Sequence, residues 1–161
     1  MTSGYYGSSV NSHPHGGTPD HLLKAIEEEF GELFDPCPNN PTVDGLSIEW
    51  PRDITAFVNP PYTRGEISQW IEKCYDQWRE GSTVVLLIPS YTDTKAFHRF
   101  IYSFADLRFI EGRLRFKGYE NKASFPSMLA IFRHSGLCQT NDKQREERLF
   151  KHRMKKYGDQ E

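Results

Sequence analysis

Apolar positions along the chain alternate between helical spacing and short continuous runs, and that alternation predicts the order of its elements. Leu22, Leu23, Ile26 and Phe30 recur at helical spacing and Gly31 follows them, the pattern of an amphipathic helix closed by glycine. In front of it, Thr18-Pro19 reads as an N-cap with proline in the first helical position, and Asp20 suits the positive end of the helix dipole. ELFD is a short strand candidate ending at Asp35, and ITAFV, residues 54–58, is a second strand. Ile67, Trp70, Ile71, Cys74 and Trp78 share one face of a helix that Gly81 ends. TVVLLIP, residues 83–89, is continuous and β-branched, as expected of a strand covered on both faces. Ala96, Phe97, Phe100, Ile101 and Phe104 predict another amphipathic helix. LRFI, RLRFK and SMLAIF then read as three closing strands, with GYENKASFP a loop between the last two.

Strands alternating with helices predict an α/β sandwich with a mostly parallel sheet and a C-terminal antiparallel hairpin. Residues 1–17 lack periodicity and are rich in Gly and Ser, so they read as a mobile tail. Residues 18–135 form the expected domain, and 136–161 a polar, basic helix or tail. From Pro36 to Pro51 the segment PCPNNPTVDGLSIEWP is nearly all turn residues, and so long a loop in a compact domain is usually functional.

Composition narrows the setting. The 161 residues suffice for one domain with a modest core. Mean hydropathy is -0.69, and no apolar run reaches the ~18 residues of a membrane span. The Ser/Gly/His-rich start does not read as a secretory signal. Cys37, Cys74 and Cys138 are scattered and odd in number, which suits a reducing compartment. The expected location is the cytoplasm (of the host cell, for a viral protein) or a eukaryotic nucleus, without secretion. A net charge of -2 and a pI near 6.3 count against a globally basic nucleic-acid binder, so local charge has to decide.

The most informative stretch is VNPPY, Val58 to Tyr62, directly after an apolar strand. Two consecutive prolines cannot extend a sheet, because neither donates a ladder hydrogen bond. In open α/β sheets, ligands sit at the carboxyl ends of the strands, where this bend falls. The side-chain oxygen of Asn59 and the carbonyl of Pro60 are acceptors on a rigid frame, and Tyr62 supplies a flat ring. The set matches a planar amino group: two acceptors for two N–H bonds and a ring to stack on the attached base. Holding both N–H bonds out of plane favours pyramidal nitrogen and exposes its lone pair, so positioning and fixed dipoles supply the catalysis. The plain alternative is a proline-rich turn that merely ends a strand.

NPPY after an apolar strand resembles the catalytic motif of S-adenosylmethionine-dependent amino-methyltransferases. Together with TPDHLLKAIEEEFG, FDPCPNN, DGLSIEW, IEGRLRFKG and SFPSMLAIF, in that order, it resembles the small phage-type DNA N6-adenine methyltransferase family from about Thr18 to Phe132. The resemblance implies an abbreviated, Rossmann-like class I methyltransferase fold, S-adenosylmethionine as cofactor, and double-stranded DNA with a flipped adenine as partner. It implies Asn59, Pro60, Pro61 and Tyr62 as the catalytic loop. Asn59, Thr18, Pro19, Asp35, Pro36 and Cys37 are implied on the cofactor, with Asp44 near its adenosine end. No membrane partner and no metal are expected; a homodimer would enlarge the DNA surface, although no residue points to one.

The chain departs from the larger enzymes of this class in two respects. Pro38, Asn39 and Asn40 stand where a glycine-rich turn would follow Asp35, and only 23 residues separate Asp35 from Asn59. Two strand–helix units cannot fit in that interval, since each crossover takes at least ~10–12 residues.

Other candidates carry both a sharp and a plain reading. Asp35 could be a simple turn residue, and Asp44 in VDGL equally a turn or a cofactor contact. Cys37 follows proline, as does the nucleophile of cytosine C5-methyltransferases, but no neighbouring base would activate it. His13 and His15 lack a second ligand pair for a metal. In Arg108, Arg113, Arg115, Lys117 and Lys122 the chain concentrates positive charge, and in RLRFK it alternates with Leu114 and Phe116. Arg113, Arg115 and Lys117, with Arg64 beside the catalytic loop and Tyr62, are the candidate nucleic-acid contacts; solvated strand residues would look the same. KHRMKK near the end reads as solvated, diluted by Glu146 and Glu147. A protein glutamine N5-methyltransferase, an RNA adenine methyltransferase and a catalytically degenerate binding module stay open as alternatives.

Overall fold

The computed structural model describes residues 16–39, 41–133 and 140–159, with side chains in the last stretch from residue 146 onward. The elements run α1 (Asp20–Phe30), β1 (Leu33–Phe34), β2 (Thr55–Val58), α2 (Glu66–Arg79), β3 (Val84–Pro89), β4 (Asp106–Phe109), β5 (Ser127–Phe132) and α3 (Thr140–Gly158). The strands form one sheet in the order β1-β2-β3-β5-β4. β1, β2 and β3 pair in parallel, while β5 runs antiparallel between β3 and β4. Four strands therefore share one direction, and β4 and β5 form the expected C-terminal antiparallel pair.

Burial follows the strand signal. Every residue of β3 and of β5 is buried, because helices cover both faces of the sheet's centre. One face packs Trp70, Ile71 and Cys74 of α2 against Val84, Leu86 and Ile88. The other packs Leu22, Ala25 and Ile26 of α1 against Val85, Leu87 and Ile131. Each such fully buried aliphatic side chain contributes about 1.5–3 kcal/mol. Gly31 ends α1 with φ 78, and its N–H donates to the Glu27 carbonyl. Residues 36–39 and 41–51 form the expected loop without helix or strand; Trp50 pins it, donating from its indole N–H to the Gly45 carbonyl at 2.9 Å.

Four expectations are corrected. RLRFK is not a strand: between β4 and β5 it runs extended without a ladder, held by an isolated bridge from Lys117 to Gly17 and by the Ala123 N–H donating to the Leu114 carbonyl at 2.7 Å. Its alternation survives, with Leu114 and Phe116 buried and Arg113, Arg115 and Lys117 exposed. The helix expected around Ala96–Phe104 shrinks to a short segment whose core is one π-helical turn, Phe97–Ile101, started by the Thr94 hydroxyl accepting from the Phe97 N–H at 3.2 Å. Thr18 does not cap α1; Pro19 holds that position without a side-chain bond. Finally, the C-terminal segment is a helix, one of its two expected forms, but it is not solvated all round, since Phe150 of α3 is 3% exposed and packs with α1.

A buried ion cluster ties these layers together. Glu29 of α1 accepts two bonds from Arg108 of β4, at 2.6 and 2.7 Å, and one from Arg133 after β5 at 2.9 Å. Arg153 of α3 approaches the same carboxylate at 3.5 Å. Burial raises the Glu29 pKa, but the guanidiniums of Arg108 and Arg133 outweigh it and hold the carboxyl below its ordinary value. Arg108 is therefore a structural ion-pair partner, not a free cation of the basic stretch.

Candidate active site

Adjacent parallel strands bring two loop residues to one end of the sheet. β1 ends at Phe34 and β2 at Val58, so Asp35 and Asn59 both emerge at the carboxyl edge, on strands ~4.8 Å apart. A cavity of about 290 Å³ opens there, lined by Gly17, Thr18, Leu23, Glu27, Leu33, Asp35, Cys37, Asn39, Phe57, Asn59 and Lys117. Asp35 faces the open side, yet the protein around it partly desolvates the carboxyl and pushes its pKa up. The Cys37 N–H, donating to Asp35 Oδ1 at 2.8 Å, opposes that shift.

The Asn59 amide is held on every side but one. Its Nδ2 donates to the Gly16 carbonyl at 3.1 Å and to the Thr18 hydroxyl at 3.2 Å. With both N–H bonds used, the amide's orientation follows: Oδ1 points away from Thr18 and accepts from the Tyr62 hydroxyl at 2.9 Å. One lone pair of Oδ1 stays available. Pro60 and Pro61 are buried, and among the described residues nothing hydrogen-bonds to the Pro60 carbonyl.

Tyr62 is positioned more tightly than a bare stacking platform. Its hydroxyl also lies 3.2 Å from the Leu87 carbonyl of β3. Its ring meets Phe116 and Phe125 with near-perpendicular planes, at centroid distances of 6.1 and 5.6 Å. Burial of the hydroxyl, with the Cys37 thiol nearby, drives its pKa well above the ordinary phenol value. The hydroxyl therefore keeps its proton for donation, while the residue as a whole is half-buried.

Gly16 and Gly17 fasten the segment before α1 to RLRFK. The Lys117 N–H donates to the Gly17 carbonyl at 2.8 Å, and a Cβ on Gly16 would run into the Lys117 carbonyl, so only glycine fits so close. Lys117 Nζ pairs with Asp20, whose carboxyl that ammonium holds below its ordinary pKa. This strap supplies both the carbonyl and the hydroxyl that orient Asn59.

The remaining candidates separate. Pro19 caps α1, and Pro36 is buried beside the cavity-lining Cys37. Asp44 accepts from the Leu46 N–H at 3.0 Å in a turn and does not line the cavity. Arg64, Arg113 and Arg115 are exposed, outside the cavity lining. His13, His15, Asn40 and Cys138 lie outside the described residues, among which no group of His, Cys, Asp and Glu is arranged to hold a metal and no helix is long and apolar enough to cross a membrane. Sequence reasoning missed Glu27, Leu23, Asn39 and Phe57 as cavity residues, and took Lys117 for a DNA contact alone. Glu27 and Leu23 lie on α1 four residues apart, so the helix spacing already put them on one face.

The family model described as DNA N-6-adenine-methyltransferase (Dam) matches residues 13–142. No curated protein matches the chain.

Proposed function

Because the chain belongs to the DNA N-6-adenine-methyltransferase (Dam) family, we propose that it moves a methyl group from S-adenosylmethionine to the N6 amine of adenine in DNA. The observation that carries the reading is the fixed orientation of the Asn59 amide, with both N–H bonds consumed by the strap and Oδ1 directed as an acceptor. The sheet order supports an abbreviated Rossmann-like class I methyltransferase sandwich, with β2 following β1 without intervening strand–helix units.

The cavity lining fits a cofactor that carries both signs of charge. Asp35 and Glu27 are anionic, Lys117 is cationic, and Leu23, Leu33 and Phe57 supply apolar walls. In this reading Thr18, Asp35, Cys37 and Asn59 hold it, as the resemblance implies, with Glu27 and Lys117 added; Asp44 has no part. When bound, S-adenosylmethionine supplies a methyl group on positively charged sulfur.

The chain's own residues prepare the amine. Asn59 Oδ1 and the Pro60 carbonyl accept the two N–H bonds of a flipped adenine, which turns the nitrogen lone pair out of conjugation. The buried prolines keep those acceptors in place at no further ordering cost. The Tyr62 hydroxyl holds Oδ1 from behind, and the Tyr62 ring is assigned to stacking on the base. Neither acceptor is basic enough to keep a proton, so both act by orientation and by favouring the cationic nitrogen of the transition state, and the proton that the methylated nitrogen sheds passes to water. Arg64, Arg113 and Arg115 are assigned to backbone phosphates.

The test incubates the protein with isotopically labelled cofactor and unmodified DNA, RNA and protein, and reads digested products by mass spectrometry. N6-methyladenine from DNA is the expected product. Label found only in N4-methylcytosine, in RNA or in methylglutamine would overturn the assignment.

A further inference from the structure

The family match ends at residue 142, whereas α3 continues to Gly158. The helix is an integral part of the fold, and its side chains are sorted by charge. Phe150, Arg153, Met154 and Tyr157 face α1: Phe150 is buried, Arg153 pairs with Glu28 and Glu29, and the Tyr157 hydroxyl donates to Glu28 at 3.0 Å. Glu146 and Glu147 also sit on the inner side, half-buried in a cleft with Arg108 and Arg133. Glu146 is thus drawn away from the outer surface, while Glu147, with its side chain 43% exposed, lies at the border of that surface.

Arg148, Lys151, His152 and Lys155 recur at helical spacing on that surface, all exposed, with exposed Lys156 beside them. Lys151 reaches Glu147 at 3.2 Å, and Asp159, just past the helix, is three residues from Lys156. Lys24 of α1 joins the group: its ammonium and that of Lys156 lie 5.8 and 5.1 Å from the Tyr157 ring. A chain of net charge -2 therefore gathers a cationic ridge in one place.

The ridge also leads toward the cavity. α3 runs antiparallel to α1, since Phe150 lies against Arg108, the partner of Glu29, while Tyr157 lies against Lys24 and Glu28. Its basic end thus points to the beginning of α1, where Thr18 and Leu23 border the cavity. From Lys24 back to Asp20, where α1 begins, is about 6 Å of helical rise, less than one turn of duplex.

We propose that the outer face of α3, with Lys24, is a DNA-backbone contact surface that anchors the duplex beside the base being modified. The inference rests on the methyltransferase reading for its choice of partner. Phosphates match the ridge because ammonium groups at helical spacing read charge without base sequence. It would give the fold a grip on DNA that does not depend on the catalytic loop.

The test compares wild type with Lys151→Gln/Lys155→Gln/Lys156→Gln and with the corresponding triple Arg variant. Binding to a mixed-sequence DNA duplex is followed across a salt series, with methyl transfer at saturating DNA in parallel. If the three lysines each neutralise one phosphate, the Gln variant's log–log salt slope falls by about 2.7, and its affinity deficit shrinks about 40-fold between 50 and 200 mM salt. Transfer at saturating DNA stays at the wild-type rate, and the Arg variant retains the wild-type slope. An unchanged slope and affinity in the Gln variant overturn the proposal, while wild-type methylation of DNA would leave the proposed function standing. If wild type binds duplex without methylating it, the catalytic reading fails and the Gln variant's slope still decides the role of α3.

Discussion

Replacing Glu29 tests how the wall of the cavity is supported. Its carboxylate side chain is 6% exposed and the Arg108 side chain 7%, so Glu29→Ala leaves a buried guanidinium without its bidentate partner. Breaking a buried pair from one side costs about 3–5 kcal/mol, chiefly because the surviving charge is uncompensated. Arg133 and Arg153, with side chains 26% and 17% exposed, can rehydrate in part, which argues against a larger figure. For a domain of this size each kcal/mol moves Tm by about 2–4 °C, so the variant should melt roughly 6–20 °C lower. Urea unfolding followed by circular dichroism gives the free energy directly. A second variant, Glu29→Leu/Arg108→Met, removes both charges and should recover most of the loss, since apolar replacement of a whole buried pair is often neutral. A single-variant cost below about 1 kcal/mol, or a double variant no better than the single, would refute the reasoning, because buried pairs broken on one side cost several times that.

Three further outcomes follow from the same geometry. The Glu29 pKa is lowered by folding, so its contribution is present above its ordinary value of 4.5 and lost as pH falls through the lower folded value; acid titration of stability should therefore be shallower in Glu29→Gln than in wild type, and equal profiles would contradict the assignment. Asp35 is shifted the opposite way by burial, so its ionised form costs stability above its raised pKa; Asp35→Asn, which keeps the acceptor for Cys37, should melt higher at pH 7 yet bind S-adenosylmethionine more weakly by calorimetry, and a lower Tm with intact binding would speak against it. Thr18→Val removes one acceptor from the Asn59 amide and should lower kcat about 10-fold, the equivalent of one ordinary hydrogen bond at ~1.4 kcal/mol, with recovery in Thr18→Ser; equal kcat for the Val and Ser variants would remove Thr18 from the orienting network.

Local patterns read well where burial and chain geometry agree. Leu22 to Phe30, Ile67 to Trp78 and Val84 to Pro89 announce their elements because apolar spacing there is the packing surface itself. NPPY could be placed at a strand end because prolines are incompatible with a ladder. What stayed hidden depends on partners far away in sequence. Arg108 looks like its exposed neighbours Arg113 and Arg115, and only Glu29, 79 residues earlier, makes it structural. RLRFK has the alternation of a strand, but alternate burial requires only an extended chain over a core, not a hydrogen-bonded neighbour. Thr18 fits a cap by local rules, yet its hydroxyl accepts from Asn59, 41 residues away. The acids of α3 dilute its lysines in one dimension, whereas on the helix Glu146 turns toward Arg108 and Arg133 and Glu147 pairs with Lys151, at the edge of the basic face.

Single-turnover methyl transfer by Asn59→Ala addresses the central assignment most directly, with cofactor binding measured on the same preparation. The side chain contributes an acceptor that the adenine amine needs only as its nitrogen becomes cationic, so the rate should fall by about 10²–10³, the scale of losing one oriented transition-state contact. S-adenosylmethionine should still bind measurably through the rest of the cavity lining, though more weakly without Asn59, and the protein should still fold. Transfer within a factor of about 3 of wild type, under 1 kcal/mol of barrier, would mean that the amide oriented by Gly16, Thr18 and Tyr62 is not where the chemistry happens.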